Sequence, residues 1–535
     1  MAGGEWDAVV VGAGHNGLVA GFYLARRGLR TLILERREMV GGACVTEEFA
    51  PGFHASPGAY VLSMLRDPIW RDMRLKQRGL RVLQSGPSLN VFPDGENFTL
   101  HGDARAAIEA IRERSPKDAI AYPRFESYLE TAAKSLMPLY DRQPIDPELR
   151  HAEDLREAVL ITWLALRNRK SLADVAYLFS TSATQLLNEF FESPELKAAL
   201  GWESISNTLS GPATPGTAYR LLHEAAVSGG AGGGVGWGFV EGGMGTVTRL
   251  MADAAREAGA VIRTGGSVDR VIVRDGRAVG VAMEGGEELR ARVVLSNADP
   301  KRTFLGLIDE ADLPPAFVGR IRAYKSDGAS IKMNLAVDAL PRFRDDTTGG
   351  DAVQDYHRGL IQITKPLEEL DTDQQAASSG VPAENPHVEL CIPTVHDPSL
   401  APEGKHVVTI GIRSQPYTLA DDGWDSIRDA VADRLIKQLG AVMPNLPNSI
   451  LHREVLTPLD LERRLGLTGG HHMHGDMSPD QLFFLRPVRG SGGYRTPVRD
   501  LYLCGAGTHP GGGVSGANGM NASKVVLKDL KGRRG

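Results

Sequence analysis

Glycines in a fixed order behind a short apolar run are the feature that most constrains this chain. Residues 8–11 are apolar and mostly β-branched, and Gly12, Gly14 and Gly17 follow them in the order G-x-G-x-x-G. A helical pattern and a second apolar run at 31–34 come next. This order predicts a strand, a turn, a helix and a parallel strand. The first glycine permits the tight turn, the second lets the backbone approach a pyrophosphate, and the third lets the helix pack on the strand.

The residues around this unit complete the pattern of a dinucleotide site. Asn16 lies at the start of the helix, where free N–H groups and a partial positive charge favour phosphate. Glu35 follows the second run and is placed to accept hydrogen bonds from a ribose hydroxyl, and its charge would repel a 2′-phosphate. Arg36 could stack on adenine or be solvated, and both interpretations stay open. Gly41 and Gly42 let the next loop cross under the pyrophosphate, which is typical of FAD sites.

Three segments resemble the FAD-binding segments of one superfamily. The first is VVVGAGHNGLVAGFYLARRGLRTLILERREMVGGACVTEE at 9–48, and the others lie at 242–300 and 501–523. In this order they resemble the flavoproteins of the phytoene desaturase, carotenoid isomerase and amine oxidase superfamily. The resemblance implies FAD as the cofactor and a contact between the backbone of Val268 and the adenine. It also implies that a glycine-rich turn and a helix start lie beside the isoalloxazine, at Gly505, Gly507, Val514, Ser515 and Gly516.

A narrower resemblance covers nearly the whole chain. It is to the family of pyridine nucleotide-disulfide oxidoreductase domain-containing protein 2, and it rests on SPKDAIAYPRFESYL, LCIPTVHDPSLAP, LTPLDLERRLGL and MSPDQLFFLRPV. Cys44, Cys391 and Cys504 lie far apart and form no CxxC motif, and no second complete G-x-G-x-x-G for NAD(P)H is present. We therefore expect no dithiol relay fed by NADPH.

The three segments predict an α/β fold built from two parts. One is a discontinuous Rossmann-type FAD-binding domain, and the other is a mixed α+β substrate domain with a helical subdomain. We expect the FAD-binding domain at 1–75, 236–300 and 486–535. The substrate domain then has a mostly helical part at 76–235 and a sheet-containing part at 301–485. Binding is expected where the two domains meet.

Four other stretches carry weaker predictions. The glycine-rich run at 228–238 is a linker or, as we favour, a loop that passes close to the cofactor. The polar stretch 345–385 is predicted to be a loop-rich excursion or lid. The apolar residues 155–166 are predicted to form a core helix rather than one that faces a membrane. The basic residues at 524–534 are predicted to be a solvated helix end, and a peripheral membrane contact of this tail is the alternative.

Composition and charge exclude several classes of function. The net charge of -6 provides no basic field for nucleic acid. No run reaches the roughly 18 apolar residues of a membrane-spanning helix, and the early first strand leaves no room for a signal peptide. The sparse cysteines suit a reducing compartment, so we expect an intracellular protein, cytoplasmic or in the mitochondrial matrix of a eukaryote. A homo-oligomer is neither indicated nor excluded.

Few residues stand out as catalytic, because flavin enzymes can act without a strong acid or base. We predict His509, His474 and Tyr60 as active-site residues. His509 lies in the flavin-side turn and Tyr60 follows the double-glycine loop. His474 belongs to the cluster HHMH at 471–474, interpreted as a substrate-pocket wall or a structural loop. No metal site is predicted there, because only Asp476 accompanies the histidines.

The resemblance implies an FAD-dependent oxidoreductase, and three functions stay open for it. The first is a dehydrogenase, oxidase or isomerase that moves a hydride to or from a small hydrophobic substrate, polyene-like or lipid-like. The second is an amine-oxidase-like oxidation of a carbon beside nitrogen. The third is a flavoprotein with a regulatory or interaction role and little turnover. Facing aromatics or a carboxylate near the flavin would favour the amine, and a long apolar tunnel would favour the lipid.

Overall fold

The computed structural model contains both strands and helices, and it describes residues 5–92, 97–147, 155, 158–159, 169–228, 237–328, 330–344, 346, 352–421 and 423–532. The strands there are β1 (Trp6–Val11), β2 (Thr31–Leu34), β3 (Glu47–Ala50), β4 (Phe53–Ala55), β5 (Val82–Gln84), β6 (Ser88–Val91), β7 (Asn97–Leu100), β8 (Gly238–Val240), β9 (Val261–Arg263), β10 (Val268–Arg274), β11 (Arg277–Met283), β12 (Glu288–Ser296), β13 (Ile331–Val337), β14 (Ile361–Ile363), β15 (Val388–Cys391), β16 (His406–Ile412), β17 (Ile450–Leu456) and β18 (Leu501–Leu503). The helices there are α1 (His15–Arg26), α2 (Asp67–Asp72), α3 (Ala104–Arg112), α4 (Pro116–Tyr140), α5 (Arg169–Ser180), α6 (Ala183–Phe190), α7 (Pro194–Gly201), α8 (Ala218–Ser228), α9 (Gly245–Glu257), α10 (Pro315–Arg322), α11 (Leu367–Ser378), α12 (Trp424–Val442), α13 (Leu446–Ser449), α14 (Pro458–Leu465) and α15 (Ala517–Gly532).

Strands from three distant parts of the chain form the first sheet. The parallel strands run in the order β9-β2-β1-β12-β18, and the hairpin of β10 and β11 pairs antiparallel with β12. Val9 lies opposite Leu32 of β2 and Val294 of β12, and all three side chains are buried. Such all-apolar parallel strands need cover on both faces. The predicted α/β fold with a discontinuous Rossmann-type domain is confirmed.

Helices α1, α9 and α15 cover one face of this sheet. Leu18 and Phe22 of α1, Val247 and Met251 of α9, and Val526 of α15 belong to one buried apolar cluster. Gly519 lies where α15 meets α1, since a Cβ added to it would be 2.0 Å from the carbonyl oxygen of Asn16. The two helices are therefore in backbone contact, which the small residue permits.

The second sheet runs in the order β17-β13-β16-β15-β14-β6-β7. Its strands are antiparallel except that β14 is parallel to β6. Apolar residues of β13 and β16 share a buried cluster with Trp424, Leu435 and Leu439 of α12. Helix α12 therefore provides the apolar cover that this sheet requires.

The prediction of a loop-rich excursion at 345–385 is wrong for much of that stretch. It contains β14, which lies inside the second sheet, and helix α11. Leu367 and Leu370 of α11 pack into the apolar cluster of helices α3 to α8. The polar residues between these short apolar groups concealed them from a periodicity argument.

The predicted helical part, 76–235, contains strands as well as helices. The run of helices from α3 onward agrees with the pattern seen from about 104, whereas residues 76–100 hold β5, β6 and β7. Strands β6 and β7 join the second sheet because the apolar side chains of Leu89 and Val91 enter its core. The division of the chain into domains at the predicted limits stays a proposal.

Two predictions lie outside the described residues, in whole or in large part. They concern the close approach of the glycine-rich run at 228–238 and the helix at 155–166. Within the part of the chain that the structure describes, no helix combines the length and the apolar character that crossing a bilayer demands.

We predict that Gly519→Ala destabilises the protein by about 1–3 kcal/mol, because its methyl group must push α15 away from the backbone of α1. Urea unfolding followed by tryptophan fluorescence measures the change. Gly532→Ala, in the same helix, is the matched control, since a Cβ there meets open space. It should change the free energy of unfolding by less than about 0.5 kcal/mol. Equal effects of the two substitutions would contradict the packing argument.

Candidate cofactor and substrate site

A cavity of about 330 Å³ lies between the two sheets. On one side it meets the residues that follow β1, β2 and β12, which are Gly12, Glu35 and Asn297. On the other side it meets β13 and β15 of the second sheet through Lys332 and Glu389. The carboxyl ends of parallel strands are where α/β sheets bind ligands. The cavity therefore has a dinucleotide side and a second side that can hold a substrate.

The glycine loop after β1 is shaped for close approach. Gly12 has a φ of 95°, which favours glycine, and a Cβ on Gly17 would lie 2.1 Å from the carbonyl oxygen of Gly12. A Cβ on Gly14 would lie 2.8 Å from Nδ2 of Asn297. Helix α1 starts directly after Gly14 with no side-chain cap and no acid in its first turn. Its free N–H groups are thus available for an anion.

The double-glycine loop crosses the same place. The backbone N–H of Gly41 donates to the carbonyl oxygen of Ala13 at 2.9 Å, and Gly41 forms a bridge with Gly14. Gly41 and Gly42 have φ values of 131° and 57°. A larger residue would be strained in this backbone, so the crossing requires glycine.

Glu35 lies at the far end of the dinucleotide side and is only 7% exposed. Its Oε2 accepts a hydrogen bond from the backbone of Ala13 at 2.9 Å, and its Oε1 accepts one from the backbone of Arg37 at 3.0 Å. These bonds fix the carboxylate at the cavity wall. A carboxylate oxygen has further lone pairs, so both oxygens can still accept from hydroxyl groups.

Arg36 has a role that neither interpretation of the sequence included. Its guanidinium donates to the carbonyl oxygen of Arg464 at 2.8 Å, at the end of α14, and it also lines the cavity. The last carbonyls of a helix carry partial negative charge and bind cations. Arg36 therefore ties the second strand of the first sheet to a helix of the substrate side.

Some of the predicted cofactor residues line the cavity, and the others lie behind its wall. The wall of the cavity contains Gly12, Gly14, Asn16, Glu35, Arg36, Gly42, Val268 and Val514. Gly17, Gly41, Gly505, Gly507, Ser515 and Gly516 are not part of that wall.

The C-terminal residues of this second set show why glycine is required behind the wall. A Cβ on Gly505 would lie 2.7 Å from the carbonyl oxygen of Asn297, and one on Gly507 would lie 2.4 Å from Cδ of Pro300. These residues let the C-terminal turn approach the segment after β12.

The side of the cavity that faces the second sheet is charged. Tyr60 donates from its hydroxyl to Oε1 of Glu389 at 2.7 Å, and Arg413 forms an ion pair with the same carboxylate. The Nζ of Lys332 lies 3.6 Å from the centre of the Tyr60 ring. Burial lowers the pKa of Lys332 to about 7, because the charged form loses its hydration. Arg413 also donates to Oγ of Ser330 at 3.1 Å.

Aromatic rings and two more acids continue this wall. The ring centre of Trp237 lies 6.1 Å from that of Tyr60 and 6.4 Å from that of Trp202. Burial and mutual repulsion raise the pKa of Glu203 well above its ordinary value, and burial also raises that of Glu224. We call the following cavity-lining set the ionic pocket: Tyr60, Trp202, Glu203, Arg220, Glu224, Trp237, Lys332, Glu389 and Arg413.

Sequence reasoning found only Tyr60 of the ionic pocket, and it missed Asn297 on the dinucleotide side. Lys332 and Glu389 lie within strands whose neighbouring residues are all buried, so no alternation marks them. Asn297 had a usable signal, because it directly follows the parallel strand β12.

The catalytic candidates are placed differently from one another. Tyr60 and His474 line the cavity, whereas His509 does not. His509 is buried, its Nε2 lies 2.9 Å from the carbonyl oxygen of Leu139, and its ring packs 5.2 Å from that of Phe483. Burial lowers the pKa of His509 to about 4. These contacts place His509 behind the wall, and its part in the reaction stays a prediction.

The remaining histidines of the cluster HHMH divide between the wall and the interior. His472 lines the cavity, and His471 is buried with its Nδ1 accepting from the backbone N–H of Met473 at 3.2 Å. Among the described residues, no group of three or more His, Cys, Asp or Glu side chains is arranged to hold a metal ion.

The residues of the dinucleotide side fit FAD. Added Cβ atoms would fill the glycine cradle, helix α1 presents uncapped N–H groups, and Glu35 is fixed where hydroxyl groups can reach it. These groups match a pyrophosphate and a ribose in turn. The ionic pocket then continues the same cavity beyond the dinucleotide side.

Comparison with known proteins gives the family. The pattern of the family described as flavin containing amine oxidoreductase matches residues 17–526. Pyridine nucleotide-disulfide oxidoreductase domain-containing protein 2 of Rattus norvegicus is 41% identical over 98% of this chain and 94% of its own. A limonene dehydrogenase polypeptide of Castellaniella defragrans is 28% identical over 98% of this chain and 95% of its own. A solved triple mutant of putrescine oxidase shares the fold, with a TM-score of 0.62, 16% identity and 99% of each chain covered.

Both resemblances inferred from the sequence are confirmed by these matches. The word disulfide in the rat relative's name has no counterpart in the geometry here, because Cys44, Cys391 and Cys504 are buried, free thiols. This chain belongs to the family of flavin containing amine oxidoreductases and is an FAD-dependent oxidoreductase.

Proposed function

We propose that this chain oxidises a small organic amine by removing a hydride from the carbon next to the nitrogen. The observation that carries the proposal is the ionic pocket, in which three acidic and three aromatic side chains line one cavity with Lys332, Arg220 and Arg413. Carboxylates bind ammonium groups through charge-assisted hydrogen bonds, and aromatic faces attract cations and pack against alkyl chains. Both features favour an amine over a hydrocarbon.

The proton that an amine must lose has an acceptor in the pocket. Because burial lowers the pKa of Lys332 to about 7, a large share of its side chains is neutral near that pH. A neutral Lys332 accepts a proton from the ammonium substrate and leaves the free amine, from which a hydride can depart to give an iminium ion. FAD, when bound, supplies the hydride acceptor. Glu389, held by Tyr60 and Arg413, binds the ammonium group as it enters.

A hydrophobic, terpene-like or polyene-like substrate is the second candidate. The limonene dehydrogenase polypeptide favours it, since that relative aligns with 98% of this chain. A hydrocarbon would cover Glu203, Lys332 and Arg413 without offering a hydrogen bond to their unpartnered polar atoms, and a buried polar group without a partner costs about 2–7 kcal/mol. The ionic pocket thus ranks the amine first.

Anaerobic mixing of the FAD-bound protein with single compounds tests the proposal. The panel contains primary, secondary and diamines in one arm and monoterpenes, carotenoids and fatty acids in the other, and loss of the flavin's visible absorbance is the readout. We expect bleaching in the amine arm. Bleaching in the terpene or carotenoid arm alone would replace the amine by the second candidate. No bleaching by any compound would count against both and leave the regulatory role.

We propose that Glu35 binds the ribose of FAD, and we predict that Glu35→Ala weakens FAD binding by about 1.5–3 kcal/mol, because hydrogen bonds to a charged acceptor are lost. The fraction of FAD retained after dilution and gel filtration measures it. Glu35→Gln keeps one acceptor and should fall between the wild type and Glu35→Ala. Glu38→Ala, at an exposed position in the same turn, is the control. Full retention of FAD by Glu35→Ala would show that Glu35 does not bind the ribose.

We predict that Lys332 makes stability depend on pH between about 7 and its ordinary pKa of 10.5. In this range the unfolded chain binds a proton that the folded chain has released, so the free energy of unfolding rises with pH. The difference between the wild type and Lys332→Met should rise by up to about 1.4 kcal/mol per pH unit. Urea unfolding of the FAD-bound protein at several pH values from 7 to about 9 measures it.

Lys437→Met, at an exposed position of α12, is the control for this series. Its stability should stay parallel to that of the wild type across the same pH values. If Lys332→Met were also parallel to the wild type, the lowered pKa of Lys332 would be wrong.

A further inference from the structure

We infer that residues 465–474, which we call the cover loop, form a fourth segment that binds FAD, with His474 contacting its diphosphate or ribityl oxygens. The inference rests on FAD binding by this chain and adds a segment from the substrate side to the three predicted ones. It also assigns His474 to the cofactor rather than to the reaction. Its support comes from the position of the loop, its anchors, its backbone conformation and an unpartnered ring nitrogen.

Both ends of the cover loop line the cavity. Its first residues, Leu465 to Leu467, line the cavity where Arg36 bonds to the end of α14. A Cβ on Gly466 would lie 3.2 Å from Nη2 of Arg36, which is the neighbour of Glu35. Its last residues, His472 to His474, line the same cavity, and His474 meets the C-terminal turn at Gly505. The loop thus extends from the proposed ribose end toward the proposed flavin end.

Three side chains from outside the cover loop hold it near its start and at its end. Asp299, just after β12, accepts from the backbone N–H and the hydroxyl of Thr468, at 3.2 Å and 2.8 Å. Arg486 is completely buried and donates to the carbonyl oxygens of Met473 and Asp476, each at 2.7 Å. The hydroxyl of Tyr324 donates to the carbonyl oxygen of His474 at 2.9 Å. Such a network sets the shape of the loop before a ligand binds, which lowers the cost of binding.

The backbone of the loop is held in conformations that most residues avoid. Gly469 and Gly470 both have a φ of 67°, and Cβ atoms on them would lie 2.2 Å and 2.3 Å from backbone oxygens of Ser326 and Pro458. His474, although not glycine, has a φ of 55°. Non-glycine residues in this region are uncommon and occur disproportionately at functional sites. The backbone at His474 therefore accepts strain that directs the side chain to a defined place.

An unpartnered ring nitrogen in the cover loop indicates that the loop binds a ligand. Nδ1 of His474 is buried and has no hydrogen-bond partner among the described residues. The imidazoles of His474 and His15 both line the cavity, and positive charge on His474 lowers the pKa of His15. Buried polar atoms in folded proteins are almost always hydrogen-bonded. The diphosphate and ribityl chain of FAD would offer oxygen atoms with which Nδ1 of His474 could form a hydrogen bond.

Hydrogen–deuterium exchange of FAD-stripped and FAD-reloaded protein tests the whole loop. We expect FAD to protect peptides that cover 465–474 as strongly as those that cover 12–17. Peptides from α12, which supplies no residue to the cavity wall, are the internal control. Protection confined to the three predicted segments would overturn the inference while leaving FAD binding intact. No uptake of FAD would overturn both this inference and the proposed function.

Variants of His474 test the ring contact apart from backbone strain. His474→Gly relieves the positive φ but removes the imidazole, and His474→Asn keeps a polar side chain in a residue that tolerates this φ. We expect the rate of FAD dissociation to rise about tenfold in His474→Gly and to stay near the wild type in His474→Asn. His452→Ala, at an exposed position of β17, is the control. Equal dissociation rates in the wild type and His474→Gly would overturn the assignment of His474.

Discussion

Close packing of backbone around Asn297 is the constraint on which the rest of the structure depends. A Cβ on Gly14 would lie 2.8 Å from its amide nitrogen, one on Gly17 would lie 3.3 Å from its Cβ, and one on Gly505 would touch its carbonyl oxygen. The turn after β1, the end of β12 and the turn after β18 therefore meet at one residue. Since none of these approaches leaves room for a methyl group, the relative position of three distant segments is fixed there. The dinucleotide side of the cavity is built outward from this point.

The ionic pocket is lined by charged and polar side chains instead of closely packed backbone. It keeps charged groups in a nearly dry place, where an unpaired charge is costly and where Glu389 is stabilised only by Tyr60 and Arg413 among the contacts described. A ligand that supplies the missing polar partners recovers part of this cost, and one that does not is rejected. Selectivity in such a site comes from the penalty for the wrong ligand as much as from attraction to the right one.

The sequence predicted the parts of this molecule that depend on local rules. The glycine order and the apolar runs located β1, α1 and β2, because tight turns and buried strands leave direct marks on the chain. No sequence pattern indicated Lys332 and Glu389, since each lies in a strand whose residues are all buried. The side chains that they contact come from other segments of the chain. His509 looked functional beside a glycine-rich turn, yet its contacts with Leu139 and Phe483 are visible only in three dimensions.

The order of strands in the first sheet has a consequence for biosynthesis. Strand β12 pairs with β18, but every residue of β13 to β17 is translated between them. A ribosome therefore finishes β13 to β17 before residues 294–296 of β12 can pair with β18, and pairings so distant along a chain form slowly. An exposed edge of that kind invites association with other chains. Nascent molecules thus pass through a stage in which residues 294–296 of β12 still lack their pairing with β18.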